Sequence, residues 1–139
     1  MDRYKETFDT WNNIASIYQD KFMELDLYND TYDFICSVID KPKANVLEIG
    51  CGPGNITKYL LTKRPDFNIF GIDIAPNMVE LAKLNNPTAN FAIMDCRQIK
   101  SLNVLGIAEG GEIEAISFDF APRRAKTNFY ELNLKVKNE

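Results

Sequence analysis

Between residues 46 and 95, short apolar runs alternate with stretches of helical spacing, and a glycine cluster sits at the first change. Val46-Leu47-Glu48-Ile49 reads as a strand, and Gly50-Cys51-Gly52-Pro53-Gly54-Asn55 stops it. Ile56, Tyr59 and Leu60 then recur at helical spacing until Arg64-Pro65. A second strand runs over 67–72 and ends at Gly71-Ile72-Asp73. Pro76 suits the first turn of another helix, with Met78, Leu81 and Ala82 on its buried face and Asn85-Asn86-Pro87 as its stop. Phe91-Ala92-Ile93-Met94 is a third strand, ending at Asp95. The order strand, helix, strand, helix, strand predicts a parallel sheet with helices packed on it. Right-handed crossovers bring the carboxyl ends of all three strands to one edge, where open α/β sheets bind ligands.

Three features meet on that edge. The first is the glycine loop. Its third glycine comes one residue too early for a dinucleotide fingerprint, and the Lys-Ser or Lys-Thr pair of a phosphate-binding P-loop is absent. Residues 46–57 hold no basic side chain, and Glu48 stands just before the loop, where it would repel a pyrophosphate. The loop therefore suits a nucleoside-type ligand that lacks phosphate and carries positive charge; the plainer reading is a tight strand-to-helix turn. The second is Asp73, 19 residues after Gly54, near the spacing at which a carboxylate meets a ribose diol. It is equally placed to cap the helix that begins near Pro76. The third is Asp95, which suits either the exocyclic amine of a base or the cap of a short helix around Arg97–Leu102.

Ahead of this segment, no glycine or proline occurs from Met1 to Lys41. Tyr4, Phe8, Trp11, Ala15, Tyr18, Phe22 and Leu25 recur at intervals of 4 and 3, which predicts one or two helices, with Asp2, Thr7 or Thr10 as caps. That aromatic face packs on a sheet or, in the sharper reading, lends Trp11 and Tyr18 to a ligand pocket. Asn29-Asp30-Thr31 is expected to cap a further helix whose apolar positions are Tyr32, Ile35 and Ile39, flanked by Phe34 and Val38.

Composition excludes several chemistries. The chain has no His, which removes Ser-His-Asp and Cys-His catalysis and His-ligated zinc. Its 3 Cys, at 36, 51 and 96, are far apart and form no metal-ligand pair, so neither a metal nor a disulfide framework is expected. With 16 basic and 20 acidic side chains, the net charge of −4 disfavours a nucleic-acid partner. No apolar stretch is long enough for a membrane helix, and MDRYKETFDTW lacks the apolar core of a secretion signal, so a cytoplasmic location is expected.

Taken together, VLEIGCGPGNITKYLL, GIDIAPNMVELAK and FAIMDCRQI resemble the class I S-adenosylmethionine-dependent methyltransferases of the small-molecule type, over about residues 1–102. The resemblance implies a Rossmann-like, doubly wound α/β fold and S-adenosylmethionine as cofactor. It also implies roles for matched positions. Gly50 and Gly52 would line the methionine part of the cofactor, and Glu48 would hold the loop and its negative potential. Asp73 would bind the ribose hydroxyls, with Ile74 and Met78 flanking the adenine. Asp95 would meet the adenine amine and the Cys96 backbone its ring, and Trp11 and Tyr18 resemble aromatic lid residues. No catalytic side chain is singled out. The implied activity is methyl transfer to a small-molecule acceptor. The alternatives are a non-catalytic cofactor-binding module and, further off, a nicotinamide oxidoreductase.

The family's fold is longer than this chain, in which 37 residues follow Leu102. Residues 114–120 and 130–136 alternate with period two, which predicts a C-terminal antiparallel strand pair joined by a basic turn holding Pro122, Arg123, Arg124 and Lys126. Gly110-Gly111 precedes the first of them. The expected organisation is one domain over 1–139: N-terminal helices (1–45), a cofactor-binding unit with three parallel strands (46–102) and the strand pair (103–139). A shortened sheet leaves an edge open to a second copy, a homodimer.

Overall fold

The computed structural model describes residues 3–99, 112–117 and 134–137. The elements are α1 (Arg3–Asn13), α2 (Ala15–Phe22), α3 (Asn29–Val38), β1 (Asn45–Ile49), α4 (Asn55–Lys63), β2 (Asn68–Asp73), α5 (Pro76–Asn85), β3 (Asn90–Ile93), a 3-10 turn (Cys96–Gln98), β4 (Glu112–Ser117) and β5 (Leu134–Lys137). The strands form one sheet in the order β3-β2-β1-β4-β5. β1 pairs in parallel with β2 on one side and β4 on the other, so the chain reverses its direction of winding at β1. In an α/β sheet that reversal opens a crevice at the strands' carboxyl ends, and the glycine loop leaves β1 at that point.

The C-terminal expectation needs correction. β4 does not belong to a separate antiparallel pair; it joins the sheet parallel to β1, so four strands are parallel rather than three. Period-two alternation suggested a half-exposed strand, but Ile113, Ala115 and Ile116 are all buried. Successive side chains on a strand face opposite sides, so Ala115 and Ile116 show that both faces are covered, as parallel strands require. β5 runs antiparallel along the outer side of β4, from Glu112↔Lys137 to Ala115↔Leu134. The expected connection 121–128 lies outside the described residues, as do Gly110-Gly111, residues 118–120 and residues 130–133.

Two apolar layers sandwich the sheet. On one face Val46, Ile69 and Ile116 meet Tyr32 and Ile35 of α3, Ile39 just after it, and Ile56 and Leu60 of α4. On the other, Leu47, Ile72, Ile113 and Ala115 form a second cluster with Phe70 and Ala92 against it. α5 packs on β2 and β3, and α1 and α2 lie across α5. That last contact is sealed by a buried cluster of Ala15, Ala75 and Met78. It is also latched by Asn12, whose Oδ1 accepts from Asn77 N at 2.8 Å while its carbonyl accepts from Asn77 Nδ2 at 2.9 Å.

Of the caps expected ahead of β1, Asp2 lies outside the described residues and the others are not caps. α2 begins after Ile14 and α3 after Tyr28, neither with a side-chain cap. Thr7 lies inside α1, where its hydroxyl donates to Arg3 O at 2.8 Å. Asn29-Asp30-Thr31 forms the first turn of α3 rather than preceding it. Tertiary packing fixed these starts, and the polar triplet accommodates the helix without capping it. Pro76, by contrast, opens α5 as expected.

Arg64 closes the other end of α3. Its guanidinium donates to the carbonyls of Cys36, Ile39 and Lys41 at 3.1, 2.6 and 3.2 Å. It also pairs with Asp66 at 2.9 Å and lies 4.3 Å over the Phe67 ring. Helix carbonyls left without donors at α3's end thus find them 25 or more residues away. Arg64→Met keeps the stem and removes the donors. It is expected to lower stability in urea unfolding by about 2 kcal/mol, with no change in the slope.

Candidate functional site

The glycine loop is shaped by three left-handed residues in alternation, Gly50, Gly52 and Gly54, with φ of 71°, 54° and 81°. Side chains other than glycine adopt this region at a cost. The loop is tied to β2 as well as to itself: Gly50 N and Cys51 N both donate to Ile72 O, at 2.8 and 2.9 Å, and Gly54 N donates to Cys51 O at 3.1 Å. Asp73 completes the tie. Its Oδ2 accepts from Gly52 N at 2.9 Å, and its Oδ1 accepts from Ala75 N at 2.9 Å. One carboxylate therefore joins the loop after β1 to the turn before α5. Burial raises its pKa, and the backbone donors of Ala75, Gly52 and Ile74 oppose that rise.

Glu48 lies beneath the loop on the helix-covered face of β1, between Gly71 of β2 and Ile116 of β4 in register. It is 1% exposed. Thr57, in the first turn of α4, donates its hydroxyl to Oε2 at 2.5 Å. Oε1 has no hydrogen-bond partner among the described residues. Desolvation pushes the Glu48 pKa up to about 8; the Thr57 bond lowers it and the charge of Asp73 raises it further. Tyr18 of α2, Tyr32 of α3 and Cys51 of the loop also feel Glu48, and none of these neighbours is a cation. A buried carboxyl with one bare oxygen and no counter-charge is a costly arrangement that a cationic hydrogen-bond donor would relieve.

Tyr18 stands over the loop, its Cε1 3.8 Å from where a side chain on Gly52 would begin. Burial, then the charges of Glu48 and Asp73, raise its pKa to about 12, so it stays a neutral phenol. It stacks on Phe22 at 4.4 Å and meets Trp11 edge-on at 5.7 Å. Above Gly50, in contrast, there is open space: nothing lies within 4 Å of where its side chain would start.

The remaining sequence-predicted residues are spread along the same edge. Ile74 follows Asp73 in the β2–α5 turn and is part-buried, whereas Met78 is buried against Ala15 and Ala75. Asp95 follows β3 and caps the 3-10 turn, its Oδ1 accepting from Arg97 N at 2.9 Å. The Arg97 side chain also pairs with this carboxylate and holds its pKa down near about 2. Cys96 is exposed at the start of that turn. The structure thus gathers Tyr18, Glu48, Gly50, Gly52 and Asp73 around one loop, with Trp11 behind Tyr18.

Sequence reading missed Thr57, Asn85 and Asn86. Asn86 Nδ2 donates to Gly54 O at 2.9 Å, and Asn85 Nδ2 to Pro53 O at 2.8 Å. Both asparagines looked like a helix stop. The available signal was their number, since one residue suffices to end a helix.

With this geometry in view, the comparisons with known proteins fall into place. Residues 46–109 match the family described as a methyltransferase domain. Over 60 residues the chain is 42% identical to a malonyl-[acyl-carrier protein] O-methyltransferase of Acetivibrio thermocellus, a match covering 42% of this chain and 21% of that protein. Over 57 residues it is 42% identical to a trans-aconitate 2-methyltransferase of Enterobacter sp. (strain 638), covering 41% of this chain and 23% of that one. The crystal structure of magnesium protoporphyrin IX methyltransferase from Synechocystis PCC 6803, solved with bound S-adenosylmethionine, superposes with a TM-score of 0.62 at 17% identity, covering 86% of this chain and 63% of that one. The chain thus spans less than two thirds of each of these relatives. The chain shares its fold with that methyltransferase structure. Residues 46–109 are thus similar to methyltransferase domains, and the described chain shares a fold with a methyltransferase solved with S-adenosylmethionine.

Proposed function

We propose that the chain binds S-adenosylmethionine at the carboxyl edge of β1 and β2 and transfers its methyl group to a small-molecule acceptor. The observation that carries this reading is the pair of carboxyls under and beside the loop. Glu48 is buried with a bare oxygen, and Asp73 is ionisable on the open side. The Asp73 carboxylate would repel a pyrophosphate there; a ligand bearing an ammonium and a sulfonium, with a diol between, is complementary to the pair, since its charge favours ionisation of Glu48 as well.

Bound there, the cofactor supplies a methyl group already activated on a sulfonium. The chain supplies binding and orientation. Asp73 Oδ2 accepts from Gly52 N and Oδ1 from Ala75 N, and the carboxylate's remaining lone pairs are available to ribose hydroxyls. The open side of Gly50 and the surface of Gly52 let the methionine part approach the backbone. Glu48 Oε1 faces the ammonium's positive charge. Ile74 and Met78 bound the adenine, with Asp95 and the Cys96 backbone at its polar edge. Trp11 and Tyr18 cover the loop and exclude water, so rate is gained by holding an acceptor in line with the methyl group. A cytoplasmic setting and a dissolved acceptor go with this reading. So does pairing of two copies along the sheet edge, which sedimentation would detect.

Titration calorimetry with S-adenosylmethionine is the test. Saturable binding is expected, with release of about one proton at pH 7, because Glu48 is protonated in the free protein and ionises beside a cation. Affinity rises with pH until about 8, the pKa of the free carboxyl, and is flat above it. Glu48→Gln removes both the proton release and the pH dependence. Absence of binding at millimolar ligand overturns the proposal. The same group sets a sign for stability: its folded pKa lies above its unfolded value of 4.5, so its contribution to stability falls as pH rises from 4.5 to about 8. Denaturation midpoints of the ligand-free protein are expected to drop across that window, and less so in Glu48→Gln.

A further inference from the structure

We propose that Asn85 is a positioning residue that couples the tyrosine-bearing helix α2 to the glycine loop. The side-chain amide nitrogen of Asn85 has two hydrogens and two close oxygen acceptors. One is Gln19 Oε1 on α2, at 2.7 Å; the other is Pro53 O in the loop, at 2.8 Å. Met23 Sδ, just beyond α2, lies 3.7 Å from the same nitrogen. Gln19 follows Tyr18, and Pro53 follows Gly52. The Tyr18 ring and Gly52 are themselves in contact range, at 3.8 Å from the position a side chain would take. The contacts form a closed circuit: Asn85 to Gln19, along α2 to Tyr18, across to Gly52, and back through Pro53. A shift of α2 therefore cannot be separated from a shift of the loop while Asn85 holds both.

Asn86 separates this role from simple support. Its amide donates to Gly54 O and Ala82 O, so it fastens the loop to α5, and it is buried where Asn85 is part-buried. The loop thus has its own anchor, and Asn85 adds the link to the helix above it. The far end of the N-terminal helices is held by Asn12 and Asn77. Releasing Gln19 therefore lets α2 swing about that fixed end rather than detach. The inference rests on the proposed ligand site for its consequence, tighter binding under Tyr18, but not for the coupling itself.

The chain's single tryptophan makes the test direct, because Trp11 meets Tyr18 edge-on and is 39% exposed. Acrylamide quenching of Trp11 in the ligand-free protein reads the position of the helices, and calorimetry with S-adenosylmethionine reads the loop. Gln19→Ala and Asn85→Ala are both expected to raise quenching and to weaken binding by about fivefold, the worth of one ordinary hydrogen bond. Gln19→Glu keeps an acceptor oxygen and restores both readouts, which a loss of packing would not allow. The double variant Gln19→Ala with Asn85→Ala quenches no more than Asn85→Ala alone, since both break one link. Wild-type quenching in Gln19→Ala overturns the proposal, whatever Asn85→Ala does to folding. A wild-type protein that binds no S-adenosylmethionine defeats the functional reading instead, and the quenching comparison still decides the coupling.

Discussion

Gly54→Ala is expected to lower the thermal midpoint by about 10 °C, a loss of roughly 3 kcal/mol for a domain of this size. Two costs add. The backbone at Gly54 is left-handed, φ 81°, which strains any L side chain by about 1–2 kcal/mol. The new methyl group would also start 2.3 Å from Asn86 Nδ2 and 3.2 Å from the Cα of Ala82. Neither can withdraw easily: Ala82 is helix backbone, and Asn86 is buried and committed to Gly54 O. The comparison that isolates the clash is Gly50→Ala, with a similar φ of 71° and, its chain neighbours aside, no atom of the described residues within 4 Å. It bears the strain alone and loses about half as much. Circular dichroism melts of the two variants check this, and equal losses would remove close approach of α4 to α5 as the reason for glycine at 54.

The second large effect is on binding. Asp73→Asn is expected to weaken S-adenosylmethionine by about a hundredfold in calorimetry, with a far smaller change in the melt. The substitution keeps the shape but leaves one oxygen where the structure uses two. Gly52 N and Ala75 N each donate to a different oxygen of Asp73, so an amide must turn its NH2 toward one of those donors. The loop tether or the α5 turn is then lost, together with the negative charge that complements the ligand. Asp73→Glu retains charge with a longer reach and is expected to fall between the two. Binding unchanged in Asp73→Asn would remove this carboxylate from the site.

The part of the fold legible in the sequence is the part with local causes. β1, β2, β3 and the helices between them are punctuated by Gly50, Gly54, Pro65, Pro76 and Pro87, each at or beside an element boundary. Alternation of strand and helix then placed Glu48, Asp73 and the glycines on one edge by handedness alone. What stayed hidden depends on partners far along the chain. β4 read as half-exposed because alternation cannot report that both of its faces are covered. The starts of α2 and α3 have no side-chain cap to find. Arg64, Thr57, Asn85 and Asn86 make structural bonds to residues 9 to 32 positions away, and apart from the doubled asparagine no local pattern marks them. Asp95 lies between the two cases. Both of its readings were open from sequence, and its engagement by an arginine two residues on was written in the chain but not weighed.

The loop after β1 has a motif's appearance and a tertiary origin. One bond, Gly54 N to Cys51 O, is local; the amides of Gly50, Cys51 and Gly52 are held by Ile72 and Asp73, and the carbonyls of Pro53 and Gly54 by Asn85 and Asn86, all 21 or more residues downstream. A synthetic peptide covering 46–63 would contain every glycine and none of the shape. The loop's shape is complete only once β2 and α5 have followed it and folded back. The motif is the visible part of an agreement among segments, and grafting it alone onto another scaffold would transplant the letters without the structure that gives them meaning.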